Sequence, residues 1–365
     1  MSKKYLLTLS TLAFSLLLVG CGPTDNPTST PSENPTTSEP SNPTSEEPTL
    51  TDPTTSPSVE DSNTSINTTE DHTSVDTTPT TDPNVDPETE PKLSDDKKTI
   101  TYGLYPQTVV SDETLISELN TNYSNIEENT YIVYKDNFFL KITSTVFKEE
   151  TYTFDNGSSI ENNKSYWFSC EPIVWNVLSS ENNTYFSISS VLLDTAIYYK
   201  DYEERSINDK TIYSNNYEHS DIRTWLNNDF YNKAFSFNDR CIVTTTVDNT
   251  QKTTDSSTNT YISNNTEDKV YLPSYEDYLN SNYGFDSSNN LSSTRTAKTT
   301  DFARAKGAWY SKDSGYEFNG TYWTRSPSSK YSYTAKNVNS GGYISDYAVD
   351  GASHCVRPAL QIHIG

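Results

Sequence analysis

Trp167-Phe168-Ser169-Cys170-Glu171-Pro172-Ile173-Val174-Trp175-Asn176-Val177-Leu178 is dense in aromatic and β-branched residues. Such side chains favour a pleated, half-buried surface, so the stretch predicts strand. Thr184 to Val191 is a second run of the same kind. Ser179 to Asn183 supplies turn residues between them, and the two runs predict a β-hairpin.

The neighbouring segments extend this pattern. Thr99 to Tyr105 alternates until it meets Pro106, an opening strand. Ser111 precedes acidic residues and predicts the N-cap of a short helix from Thr114 to Leu119. Tyr131 to Tyr134, Phe138 to Ile142 and Thr151 to Phe154 predict short strands, with Asp155-Asn156-Gly157 as a hairpin turn. Ser220 to Tyr231 is the best helix, with Ile222, Trp225, Leu226 and Phe230 on one face and Ser220 or Asp221 as its cap. Short helices follow from Pro273 to Leu279 and from Asp301 to a closing Gly307. Tyr322 to Pro327, Tyr333 to Val338, Tyr343 to Ile344 and Val356 to Ile364 predict strands, with a turn at Asn339-Ser340-Gly341-Gly342. Many short strands with a few short helices give an α+β fold class.

Composition divides the chain into three parts, expected at 1–20, 21–96 and 97–365. Lys3 and Lys4 open an apolar run of about 15 residues, short of the roughly 20 that span a bilayer. The run ends in Leu18-Val19-Gly20-Cys21, the pattern of a lipoprotein signal peptide. A thioether-linked lipid of the palmitate type on Cys21 would hold the chain on the outer face of a cell membrane. From Gly22 to Asp96 there is no aromatic residue, and 13 of the 18 prolines lie here, with 17 acidic residues against Lys92 alone. Such a segment buries too little apolar surface to offset its ordering entropy, so a disordered linker is expected. It would reach roughly 50 Å as a coil and on the order of 200 Å if fully extended.

The last part holds all five Trp and nearly all of the 27 Tyr, enough for one sizeable core and for rings at the surface. The chain's net charge is −24, of which about −10 falls on this part. That argues against nucleic acid as a partner, which needs a basic patch.

Cys170, Cys241 and Cys355 stand outside any Cys-x-x-Cys arrangement, so a disulfide pairing stays open and no zinc site is indicated. His354 adjoins Cys355, but neighbours on a strand point to opposite faces. His72 lies in the linker, and His219, His354 and His363 show no ligand spacing. An acidic domain leaves room for calcium on Asp, Asn and backbone oxygens, although no alternating Asp/Asn loop exists. Gly-x-Ser-x-Gly, His-Glu-x-x-His and Walker patterns are absent. Arg223, Arg325 and Arg357 read either as ligand contacts or as loop ties to carboxylates such as Glu171. Trp175, Trp225, Trp309 and Trp323 read first as core.

Five stretches resemble, in chain order, a bacterial domain of unknown function numbered sixty-two seventy-three. They are Tyr102 to Thr108, Glu171 to Leu178, Asp221 to Phe235, Trp323 to Pro327 and Val356 to Leu360. That family is distantly similar to C-type-lectin-like and formylglycine-generating-enzyme-like folds, which implies a single lectin-like domain. His354-Cys355 departs from the family's Gly at that point and argues against a tight turn there. The combined expectation is a surface protein displaying a ligand-binding or interaction domain for an extracellular glycan or protein. Its candidate contacts are Trp323, Arg325, Tyr343, Asp346 and Arg357, with further loops between Ser311 and Ser353. The alternatives are an extracellular enzyme acting on wall glycans or surface proteins through Glu171, Asp346 or Cys355, and a structural envelope component.

Overall fold

The apolar run around Trp175 becomes the longest strand of the molecule. The structure, a computed structural model, describes residues 90–251 and 261–365, all inside the unit Ser74–Gly365. The leader, Cys21, His72 and nearly all of the expected linker lie outside the described residues.

In chain order, β1 (Lys92–Leu93) pairs with β2 (Thr99–Val109), so pairing begins ahead of the expected boundary at Lys97. β2 does not end at Pro106. It continues to Val109 with two slips in register, one between Thr101 and Leu104, one between Pro106 and Thr108. There β2 has a partner strand on one side only, a setting that tolerates a missing N–H. The first slip holds Gly103 at φ +78, where a Cβ would lie 2.6 Å from the Phe235 ring and 2.9 Å from the Ala234 carbonyl oxygen. Helix α1 (Glu113–Asn122) is capped by Asp112 rather than Ser111, Oδ1 accepting from the N–H of Thr114 at 2.8 Å and of Leu115 at 3.0 Å. β3 (Ile132–Tyr134) and β4 (Asn137–Thr143) form a hairpin, while the strand expected at Thr151 to Phe154 shrinks to a single bridge, Thr153 to Ser159.

β5 (Ser165–Glu181) carries Pro172 without a break and turns into β6 (Thr184–Ser189) through Asn182 and Asn183, at φ 49 and 60. A two-residue turn with both centres left-handed matches strand twist, and Asn tolerates that conformation. β5 lies beside β2 on one edge and beside β4, then β6, on the other.

β7 (Asp194–Thr195) and the hairpin β8 (Arg205–Ile207) to β9 (Lys210–Ile212) lead to the best helix. Ser220 caps it, its Oγ accepting from Arg223 N–H at 3.2 Å. α2 (Asp221–Trp225) runs through a π-turn, Leu226–Phe230, into α3 (Tyr231–Ala234). Ile222, Leu226, Phe230 and Ala234 are all buried. A four-residue repeat drifts about 40° per step on a regular α-helix. The wider π-turn takes up that drift and keeps the row facing the core. Trp225 is only partly buried.

β10 (Ile242–Val243), β11 (Thr245–Val247), β12 (Thr266–Asp268) and β13 (Val270–Tyr271) precede a short 3₁₀ turn, Asp277–Leu279. Ser274 and Asp277 open that turn reciprocally, each side chain accepting the other's N–H. α4 (Asp301–Ala305) is capped by Thr300. β14 (Tyr322–Pro327), β15 (Thr334–Val338), β16 (Ile344–Ala348) and β17 (Cys355–Val356) build a second sheet in the order β16-β15-β14-β17-β7. β18 (Ala359–His363) returns to the first sheet beside β6. The strand expected from Val356 to Ile364 is therefore two strands in two sheets. The break is Arg357-Pro358, where proline offers no N–H to a ladder.

The domain is β-rich with a few short helices. One large core cluster reaches from the first sheet, through Phe168 and Trp175, to Trp323 in the second. Trp175 Nε1 donates to the Tyr102 carbonyl at 2.8 Å, as a buried indole requires. Cys170, Cys241 and Cys355 are free thiols.

Candidate functional site

The five expected contact residues do not converge. Trp323 is fully buried, with Nε1 donating to the Ala196 carbonyl at 3.0 Å. Arg357 is buried too, its guanidinium donating to the carbonyls of Ser189 at 3.0 Å and Arg295 at 3.3 Å and to Tyr322 Oη at 3.2 Å. It ties the two sheets together where the chain crosses between them. Tyr343 is exposed at the turn end of the β15–β16 hairpin, and its N–H donates to Asn339 Oδ1 at 3.0 Å. Asp346 is exposed on β16 and pairs with Lys336 at 2.9 Å. Arg325 is 6% exposed and donates to the Leu272 carbonyl at 3.0 Å, the Asp277 carboxylate at 2.7 Å and Gln251 Oε1 at 2.9 Å. The carboxylate ties foreseen for arginine are thus real. Their partners are Asp277 for Arg325 and Asp268 for Arg223, not Glu171.

The open end of the same hairpin carries a different cluster. Tyr202, Tyr331, Tyr333 and Tyr347 are 50%, 41%, 41% and 48% exposed. Tyr331 and Tyr333 stack at 5.4 Å, and Tyr202 meets Tyr333 edge-on at 5.9 Å. Tyr202 Oη donates to Asp350 at 2.7 Å, a bond that raises the phenol's pKa. Lys330 lies 4.8 Å over the Tyr331 ring, a cation–π contact at the rim. Rings of this size, grouped and left in water, make a surface of the type that marks contact sites. Tyr331, Tyr333 and Tyr347 fall inside the loops singled out in the sequence. Tyr202 does not. It arrives from a loop far upstream, and only the local Tyr density from Tyr198 to Tyr202 hinted at it.

One ring of the patch, Tyr347, rests on a buried base. The Tyr347 ring packs 4.3 Å from His354, which stacks on Trp323 at 4.3 Å and 22°. His354 lies 3.3 Å from the Asn337 side-chain amide through Nε2, and Nδ1 has no partner among the described residues. Burial alone pushes its pKa down to about 3, so the ring is neutral. Gly351 allows this stack, since a Cβ there would lie 2.9 Å from the Tyr347 ring and 3.0 Å from His354 Nδ1. The tight turn doubted at His354 is present, with His354 N–H donating to the Gly351 carbonyl at 3.4 Å.

Burial pushes the thiols of Cys170 and Cys355 well up, so neither presents a thiolate nucleophile. Among the described residues no group of three or more His, Cys, Asp or Glu is placed to hold a metal ion. No helix among the described residues is long and apolar enough to cross a membrane.

Residues 182–364 match the family described as Domain of unknown function (DUF6273). No curated protein and no solved structure matches the chain. The resembling stretches Tyr102 to Thr108 and Glu171 to Leu178 fall ahead of the matched segment. That segment takes in β6 to β18, the whole tyrosine patch and the surroundings of Arg325, and it covers half of the 365 residues. By that measure this chain belongs to the DUF6273 family.

Proposed function

We propose that this is a lipid-anchored protein of a bacterial cell surface whose domain binds an extracellular ligand, glycan or protein, through the tyrosine patch. The observation that carries the reading is the group of four exposed rings, one of which, Tyr347, packs on the buried His354–Trp323 stack. Tyrosine offers large amphipathic contact area at little conformational cost, and the packing of Tyr347 on His354 lowers that cost further for this ring. Asp346 is paired with Lys336, and Asp350 on one side of the rings is balanced by Lys330 over Tyr331, which suits a neutral ligand. The lipobox ending at Cys21 and the acidic linker behind it support display away from a membrane. A distant lectin-like fold is supported by the return of β18 to the sheet that β2 begins, while the segment between builds the second sheet that carries the patch.

The test compares the full chain with a variant in which Tyr202, Tyr331, Tyr333 and Tyr347 are all serine, on a glycan array and against extracellular proteins. Wild-type capture that disappears in the variant is expected. Silence of the wild type in both formats, or capture that survives the fourfold change, overturns the reading.

A further inference from the structure

A concavity of about 240 Å³ lies where β13, β18 and the Asp277–Leu279 turn meet Arg325. Drug-sized ligands occupy pockets from roughly 300 Å³ upward, so this one has room for a single ring rather than an extended chain. One wall is aromatic: Phe186 and Tyr271 stack at 6.0 Å and 11°, and Tyr283 meets Phe186 edge-on at 5.4 Å. The other wall is the Arg325–Asp277 ion pair with Gln251 and Gln361 beside it.

The charge state of this lining is decisive. Arg325 is spent on Asp277, Gln251 and the carbonyls of Leu272 and Asp248, so it has no donor left for an anion. Asp277 Oδ2 takes both Arg325 and the Ser274 N–H, which leaves Oδ1 as an acceptor. Asp248, also in the lining, is turned onto the N–H and hydroxyl of Thr250. A free cation is disfavoured by the guanidinium 2.7 Å from the Asp277 carboxylate. What remains is a ring face on one side and, on the other, the charge-compensated Asp277 carboxylate with the Gln361 amide. A ligand with an apolar face and hydroxyls along its edge satisfies both walls.

We infer that this pocket binds one saccharide residue, with a sugar face against Tyr283 and Phe186 and hydroxyls bonded to Asp277 Oδ1 and the Gln361 amide. The pocket is separate from the tyrosine patch and does not depend on it. The experiment titrates the full chain with glucose, galactose, mannose and N-acetylglucosamine, read by tyrosine and tryptophan fluorescence and by calorimetry. At least one sugar is expected to bind saturably in the millimolar range. Tyr283→Ala, which removes a half-buried ring from the rim, should weaken it roughly tenfold at unchanged melting temperature. Gln361→Ala should weaken it similarly and change the order of preference among the sugars. The fourfold serine variant of the patch should bind the sugar as wild type does, which separates the two readings. The inference is overturned if none of the four sugars binds at tens of millimolar, if binding is indifferent to both pocket changes, or if tetramethylammonium or acetate binds better than every sugar.

Discussion

His354 is neutral in the fold because burial removes the water that would stabilise its charge. Its folded pKa of about 3 lies below the usual 6.5, so under pH 6.5 the unfolded chain takes up a proton that the folded one refuses. Stability then falls as the pH falls, approaching about 1.4 kcal/mol per unit well below pH 6.5 and losing roughly 2 kcal/mol between pH 7 and 5. His354→Phe should flatten that part of the curve, and denaturant titrations of both proteins at pH 7, 6 and 5 check it. Arg295 is the other decisive residue, and neither spacing nor neighbours marked it. It is fully buried, and its three nitrogens donate to the carbonyls of Gly342, Tyr278, Asp286, Ser288 and Asn290. Arg295→Met should cost at least about 3 kcal/mol, and Arg295→Lys should recover only part, since an ammonium has three donors and no planar fork. The shift in denaturant midpoint measures both. Nothing local distinguishes such an arginine from a ligand contact, because its partners are carbonyls that only the folded loops bring together.

Turns were the most legible elements, since their chemistry is local. Asp155-Asn156-Gly157 and Asn339 to Gly342 are both turns in the structure, with Gly157 and Gly342 each at φ +82. Their surroundings differ. A Cβ on Gly157 meets nothing within 4 Å, whereas one on Gly342 would sit 2.0 Å from the Ser292 carbonyl oxygen. Gly157→Ala should therefore cost only the left-handed strain, about 1 kcal/mol, while Gly342→Ala should cost well beyond that. Thermal melts of the pair decide it, and equal losses would show that the close approach does not matter. Strand ends were less legible. Proline at 106 looked like a stop, yet the ladder continued because β5 is long enough to accept a slipped partner. Val356 to Ile364 looked continuous because both halves are apolar, and its division between sheets follows from where β7 and β6 wait.

The matched family segment begins at residue 182, inside the turn between β5 and β6. A fragment of residues 182–365 would lack β2 and β5, and with them Phe168, Ile173 and Trp175 from the core. It should fail to fold, whereas 90–365 should show a cooperative melt. Circular dichroism of the two fragments tests this, and a cooperative transition in the shorter one would mean the first sheet does not need its central strand. The strand-rich class was readable from β-branched and aromatic runs. The order of strands was not, because it is set by pairings between residues far apart in the chain. The sequence pointed to the loops between Ser311 and Ser353, which hold Tyr331, Tyr333 and Tyr347, but the tyrosine it named was Tyr343, and Tyr202 reaches the patch only through topology.

The junction at Arg357-Pro358 has a consequence for how the two sheets come apart. Cys355–Val356 and Ala359–His363 each close a different sheet, and Arg357 bonds across the junction. Neither layer is complete without this stretch, so a cut at the junction would open both sheets at once rather than fraying one edge.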